Sequence, residues 1–251
     1  MGDEREFKDH FSGHAAAYAQ ARPGYPPELF DCLASEAPGR TCAWDCATGS
    51  GQAAVALAEH FDHVVANDAS RNQIRHAYPH PRVEYRVARA EAPGLPAGGM
   101  ALVAAAQAVH WFDRPRFYAA ARRALAPNGL VAVWCYGLVR LGEDIDGLIA
   151  ELYEDILGGY WPPERRLIDE QYRTLEFPFA EIPTPLFLMR QSWTVQQLLD
   201  YLHTWSAVQR YRRREEKDPV SLVARDIARL WGAAPRREVQ WPLHLRAGRP
   251  G

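Results

Sequence analysis

The sequence predicts an α/β fold: a doubly wound, Rossmann-like, mostly parallel sheet of seven strands with a helical cap insertion. Three observations lead there: apolar runs alternate with helical stretches over residues 41–136, a glycine turn follows the first run, and the rhythm breaks after Gly137. Strands that alternate with helices favour a parallel sheet, because each crossover helix covers a sheet face. Three of the first five runs are nearly all apolar, as strands covered on both faces should be.

The elements follow in order. Residues 14–20 (HAAAYAQ) read as a helix, stopped by Arg22-Pro23-Gly24-Tyr25-Pro26-Pro27. Pro27 suits the first turn of a second helix, 27–36, where its missing N–H costs nothing. Residues 41–46 (TCAWDC) form the first strand, Thr48-Gly49-Ser50-Gly51 the turn, and 52–60 an Ala-rich helix. A second strand is expected at 63–67, a helix at 70–77, a third strand at 82–88, a fourth at 101–106 and a helix at 115–125. Asn128-Gly129 reads as a turn launching the fifth strand, 130–136. Beyond it come an amphipathic helix at 144–157, a Trp-, Pro- and Arg-rich stretch at 158–183, a strand at 185–193, helices at 194–203 and 219–231, and a last strand at 237–246. The expected organisation is a single domain: residues 1–137 as the α/β core with an N-terminal lid helix, 138–183 as a cap insertion, and 184–251 completing the sheet and adding cap helices.

Composition narrows the function classes. The chain has 251 residues, 47% hydrophobic and 24% charged, with a formal net charge of −2. That is ordinary globular composition, and the missing basic excess argues against a nucleic-acid partner. Cys32, Cys42, Cys46 and Cys135 form no CxxC pair and stand beside no His cluster, so reduced cysteines, no metal and a cytoplasmic location are expected. Residues 1–10 carry no apolar signal-peptide core, and no apolar run is long enough to span a bilayer. A monomer or homodimer acting on a small molecule fits this balance.

The glycine turn carries the chemistry. Asp45-Cys46-Ala47-Thr48-Gly49-Ser50-Gly51 lies beyond the carboxyl end of the first strand, where open α/β sheets bind ligands. Glycines let the backbone turn sharply and approach a ligand, and the next helix presents unpaired N–H groups. Gly49-Ser50-Gly51-Gln52-Ala53-Ala54 also fits the loose GxGxx(G/A) dinucleotide pattern, which leaves an NAD-dependent oxidoreductase as an alternative. Asp45 separates the two: a carboxylate there repels a pyrophosphate and attracts the ammonium and sulfonium of S-adenosylmethionine. Asp68, closing the second strand, can accept hydrogen bonds from ribose hydroxyls.

On these residues the chain resembles the class I S-adenosylmethionine-dependent methyltransferases, whose motif (D/E)xGxGxG reads here as Asp45 to Gly51. Within them it is similar to the type 11 group that includes trans-aconitate methyltransferase-like proteins, through Phe11-Ser12-Gly13-His14 onward to Pro26, through Gln107-Ala108-Val109-His110-Trp111-Phe112, and through Thr204-Trp205-Ser206. The resemblance implies that Asp45, Ala47, Gly49 and Gly51 line the methionine end of the cofactor. It puts Asp68 at the ribose, Ala69, Ala90 and Glu91 around the adenine, and Gln107 and His110 beside the sulfonium. Tyr18 and Arg22 match an N-terminal lid. Ala47 replaces the first motif glycine, which is tolerated if its φ is negative; Arg89 and Met100 are further departures. A cofactor-binding protein without catalysis stays open as a second alternative.

Methyl transfer to a small-molecule acceptor needs alignment and dryness more than chemistry. A carboxylic acid acceptor would need no base; another acceptor would, and His110 is the catalytic candidate. Trp111, Tyr136, Trp161 and Trp205, with His110, are the expected acceptor pocket, joined by Phe112, whereas Trp134 reads as core. Arg22, Arg140, Arg165, Arg166 and Arg190 could pair with an acidic acceptor. Arg210, Arg212, Arg213 and Arg214, followed by Glu215, Glu216 and Asp218, read as a salt-bridged helix surface.

Overall fold

The computed structural model describes residues 23–251, so the expected lid helix with Tyr18 and Arg22 lies outside the described residues. Helix α1 (Pro27–Glu36) opens on Pro27 at its first turn, as its missing N–H allows. Five strands then run parallel: β1 (Cys42–Cys46), β2 (His63–Asp68), β3 (Val83–Val87), β4 (Met100–Ala106) and β5 (Leu125–Tyr136). Between them stand α2 (Gln52–Ala58), α3 (Arg71–Arg75) and α4 (Arg114–Ala124). The strand order is β3-β2-β1-β4-β5, so the winding reverses between β1 and β4. That switch point opens a crevice at the carboxyl edge, and ligands bind there.

The remaining strands are antiparallel. β6 is the two-residue Ala180–Glu181, β7 is Phe187–Trp193 and β8 is Arg237–Arg249. One edge of β8 pairs with β5, and its other edge pairs with β7 at one end and β6 at the other. The seven longer strands are the expected ones, and β6 makes the sheet eight-stranded. The fifth strand differs in detail. Asn128-Gly129 does not precede it but sits inside it: Leu125 already pairs with Met100, and the register shifts before Leu102 meets Leu130. Asn128, at φ 60°, absorbs that irregularity.

Side-chain alternation along β5 divides the core. Ala132, Trp134 and Tyr136 pack with Phe30, Leu57 and Trp241 on one face. Val131, Val133 and Cys135 pack with Trp44, Phe117 and Tyr172 on the other. Trp134 is fully buried, as expected of a core residue; each such large side chain contributes about 1.5–3 kcal/mol.

Apart from β6 and β7, residues 143–231 are helical and irregular, and Trp161, Arg165, Tyr201 and Trp205 among them meet Gln107 and Tyr136 at the carboxyl edge. α5 (Glu143–Ala150) runs on into a π-helical turn over Glu151–Ile156, and α6 (Arg166–Asp169) follows. α7 (Val195–His203) starts on a capping box between Thr194 and Gln197, which satisfies two orphan N–H groups reciprocally. α8 (Ser206–Glu215) and α9 (Ser221–Trp231) complete the layer. On α8, Arg212 pairs with Asp218 and Arg214 with Glu215, the salt-bridged surface read from the sequence.

Candidate active site

Asp45 lies within β1, one residue from its end, and is fully buried. Its Oδ2 accepts a hydrogen bond from Thr48 Oγ1 at 2.5 Å. Its Oδ1 is buried and has no hydrogen-bond partner among the described residues. Burial pushes the carboxyl pKa up to about 7; the Thr48 hydroxyl opposes this and the charge of Asp68 adds to it. The Ala54 backbone N–H also lowers the pKa, and a buried carboxyl so sparsely bonded fits a cationic ligand group nearby, which would favour its ionised form.

The turn itself is stitched to β2. Thr48 N–H donates to Asn67 O at 2.9 Å, and Gly49 N–H to Asp68 Oδ2 at 3.0 Å. Ser70 N–H donates to Asp68 Oδ1 at 2.8 Å. Asp68 therefore fixes the loop, with one oxygen on the Gly49 N–H and the other on the Ser70 N–H. Gly51 has φ +86°, and a Cβ there would lie 2.2 Å from the Tyr85 hydroxyl oxygen. That hydroxyl is itself held, donating to Tyr78 O at 2.7 Å. Gly49, at φ +55°, faces open space, so a ligand can approach its backbone.

Ala47 does not meet the expectation for it. Its φ is +56°, not negative, so a Cβ stands in the left-handed region where the motif glycine would be unstrained. The cost is about 1 kcal/mol. Gln107, at φ 53°, is a second such residue on the same edge. Its amide is committed to β5: Oε1 accepts from Tyr136 N–H at 3.1 Å, and Nε2 donates to Tyr136 O at 3.3 Å. Strain of this kind gathers at ligand sites because the surrounding structure must over-determine it. Ala90 is buried and Ala69 half-buried, while Glu91 Oε1 accepts from Asp113 N–H at 3.0 Å, tying the loop after β3 to the start of α4.

Next to this edge lies a cavity of about 50 Å³. Its walls include Gln107, His110, Trp111, Tyr136, Trp161 and Trp205, so all residues expected of the acceptor pocket but Phe112 are brought together there. Phe112 is not among its walls; it packs on Phe117 with ring centroids 4.8 Å apart. Arg165 also lines the cavity; of the other candidate arginines in the described chain, Arg140, Arg166 and Arg190 are exposed and do not.

His110 is 4% exposed, and its Nδ1 lies 2.8 Å from the Tyr172 hydroxyl. Burial, with the cations of Arg165 and Arg114 adding to it, pushes its pKa down to about 3. The ring is therefore neutral and weakly basic at neutral pH, which counts against the general-base role. Arg165 is held from its Nε side: Nε donates to Tyr153 Oη at 2.7 Å and lies 3.4 Å from Asp169. Its guanidinium carbon stands 5.0 Å from the Trp161 ring centroid and 5.3 Å from that of Tyr153. The side chain is 18% exposed, and its two terminal nitrogens have no hydrogen-bond partner among the described residues. Its two terminal nitrogens, each with two N–H groups, match the fork of an oxyanion.

Residues 44–133 match the family described as methyltransferase domain. A Dictyostelium discoideum protein named as a methyltransferase is 31% identical over 248 residues, covering 96% of this chain and 94% of its own. This chain belongs to the class I S-adenosylmethionine-dependent methyltransferases. The methyltransferase fold agrees throughout: a structure described as a type II methyltransferase from Anaeromyxobacter dehalogenans is 44% identical, with TM-score 0.86 over 92% of this chain and 99% of its own. A Haemonchus contortus phosphoethanolamine N-methyltransferase, solved with S-adenosylhomocysteine, is 17% identical with TM-score 0.50 over 96% of this chain and 58% of its own; it shares the fold. The methyltransferase assignment removes the dinucleotide-dependent alternative.

Sequence reasoning missed Tyr172, Tyr153, Asp169 and Tyr201. None lies in a motif. Tyr172 reaches His110 across 62 residues of chain, and Tyr153 with Asp169 orients Arg165. Only the Trp-, Pro- and Arg-rich character of 158–183 hinted that this stretch held more than a linker.

Proposed function

We propose that this methyltransferase transfers the methyl group of S-adenosylmethionine to a carboxylate oxygen of a small organic acid held in the aromatic cavity. S-Adenosylmethionine, when bound, supplies a methyl carbon already activated by a positive sulfur. Asp45 and the turn at Gly49 and Gly51 hold its methionine end, Asp68 its ribose hydroxyls, and Ala69, Ala90 and Glu91 border its adenine. Gln107 braces the loop after β4 against β5, so that His110 and Trp111 meet the acceptor at a defined place.

The observation that carries the acceptor class is Arg165. Its Nε side is paired with Asp169 and Tyr153, while its terminal nitrogens, with no protein acceptor among the described residues and little solvent, favour an oxyanion through charge-assisted hydrogen bonds. His110 supports the same reading: burial pushes its pKa down to about 3, which makes it a poor general base and favours an acceptor that arrives already ionised. We assign His110 the role of a neutral hydrogen-bonding group. Trp111, Trp161 and Trp205 exclude water.

The test is incubation with isotope-labelled methyl donor and a panel of carboxylic acids, phenols, thiols and amines, with products read by mass spectrometry. Base-labile methyl esters are expected. Labelled products from phenols or amines alone would overturn the acceptor class but not methyl transfer. No methylated product from any acceptor, together with tight S-adenosylhomocysteine binding, would favour the non-catalytic reading instead.

A further inference from the structure

A second cavity, of about 360 Å³, lies outside the aromatic pocket and shares no lining residue with it. It is lined by Gln171, Arg173, Glu181, Thr184, His244 and Arg246, among others. The fold creates it: β7 pairs with β8 up to Leu243 and β6 resumes at Gly248, and between them the edge of β8 is met only by irregular chain, Ile182 N–H donating to Ala247 O at 3.0 Å and Thr184 Oγ1 to Leu245 O at 3.2 Å. Its size falls within the range of small-molecule sites.

Its charge is one-sided. Arg246 and Glu181 cancel each other through paired hydrogen bonds, Nη2 to Oε1 at 2.5 Å and Nε to Oε2 at 3.1 Å. Arg246 Nη1 also donates to Tyr172 O at 2.9 Å. The Arg173 guanidinium and the Gln171 amide have no side-chain partner among the described residues, and neither has the His244 ring. Burial, then the cations of Arg173 and Arg140, hold the His244 ring below its ordinary pKa. The cavity thus offers a free guanidinium, an amide and an imidazole, with no uncompensated carboxylate among its lining residues.

The segment between the two cavities is strained. Gln171 and Tyr172 have φ 59° and 58°, consecutive non-glycine residues in the left-handed region. Gln171 and Arg173 face the outer cavity, whereas the Tyr172 side chain is fully buried with its hydroxyl on His110. One turn of chain therefore touches both sites.

We propose that this outer cavity binds a small multiply charged oxyanion, a polycarboxylate or a phosphate, and that its grip on Gln171 and Arg173 reaches His110 through Tyr172. The binding half stands without any statement about methyl transfer; the relay half rests on the reading of His110 as part of the acceptor pocket. Arg173 and His244 are the recognition residues.

The experiment titrates citrate and, separately, inorganic phosphate into the full chain by calorimetry, without cofactor or acceptor. Saturable binding is expected for at least one of them, and their ratio tells carboxylate from phosphate preference. Arg173→Ala and His244→Ala should each weaken it about tenfold, by the loss of a charged hydrogen bond, while Arg165→Met leaves it unchanged. No binding of either probe overturns the site, as does weakening by Arg165→Met but not by Arg173→Ala. For the relay, NMR of nitrogen-labelled histidine, with His110 assigned through His110→Gln, should show both His244 and His110 signals moving on citrate addition. Movement of His244 alone overturns the relay. These readouts need no methylated product, so their failure is separate from failure of the methyltransferase reading.

Discussion

At the β1–β2 end of the carboxyl edge, backbone and short side chains drawn from residues 45–51 and 67–70 are bonded to one another. At the β4–β5 end, the walls come from Gln107, His110, Tyr136, Trp161, Arg165 and Trp205, brought together from across the second half of the chain. The first end is a turn whose geometry follows from a few neighbouring residues. The second is a tertiary assembly in which each wall is held by something remote, as Tyr172 holds His110. A site of the first kind can recur unchanged around one cofactor while the second varies with the acceptor, which is how loops on a constant scaffold diversify function.

That contrast can be broken at several points. The largest effect is expected at Gly51→Ala, which sets a Cβ into the Tyr85 hydroxyl and a side chain at φ +86°. A loss of about 3 kcal/mol in thermal or urea unfolding should follow, from strain and overpacking together. Tyr85→Leu in the same background should restore only the steric part. If Gly51→Ala unfolds like the parent, the turn is not the rigid half.

Arg165→Met should sharpen the other side. Acceptor kcat/KM should fall about 10–100-fold, the loss of charge-assisted bonds worth roughly 1.5–3 kcal/mol, while calorimetric S-adenosylhomocysteine affinity stays constant. Equal losses in both would mean that the two ends are one site.

Asp45→Asn should do the reverse, weakening S-adenosylhomocysteine about tenfold through one charged contact. A pH dependence accompanies it. The folded pKa of Asp45, about 7, lies above its ordinary value. The stability it contributes to the cofactor-free enzyme is thus present in acid and lost as pH rises toward 7. An ammonium partner favours the ionised form, so cofactor affinity should rise with pH, by about tenfold between pH 6 and pH 8 if one proton must leave. The Asn variant should show a flat profile. His110 has the opposite sign: its lowered pKa gives stability present at neutral pH and lost as pH falls from its ordinary value toward 3.

The smallest effect is Ala47→Gly. Relief of φ +56° should stabilise the protein by about 0.5–1 kcal/mol, read as a shift in urea midpoint with unchanged m. A loss instead would mean that the Ala47 methyl group packs usefully in the cleft.

What could be read in advance follows the same division. The alternation of runs foretold β1 to β5 and a doubly wound sheet, because backbone hydrogen bonding and face burial are periodic in sequence, while the strand order that sets the switch point came from the fold. The Asn-Gly pair misled, since a turn dipeptide also suits an irregularity inside a strand that β4 holds in register. The φ of Ala47 was likewise hidden: residue type states a preference, and the stitching of Thr48 and Gly49 to β2 overrules it.

The sequence by itself determined the doubly wound core, the glycine turn and the pair Asp45 and Asp68, because each depends on residues a few positions apart or at the ends of neighbouring strands. Only the tertiary structure decided which arginine enters the pocket and which partner holds His110. Those outcomes depend on contacts between distant segments, and burial alone turns an ordinary arginine or histidine into a selective one by removing the water that would otherwise satisfy it.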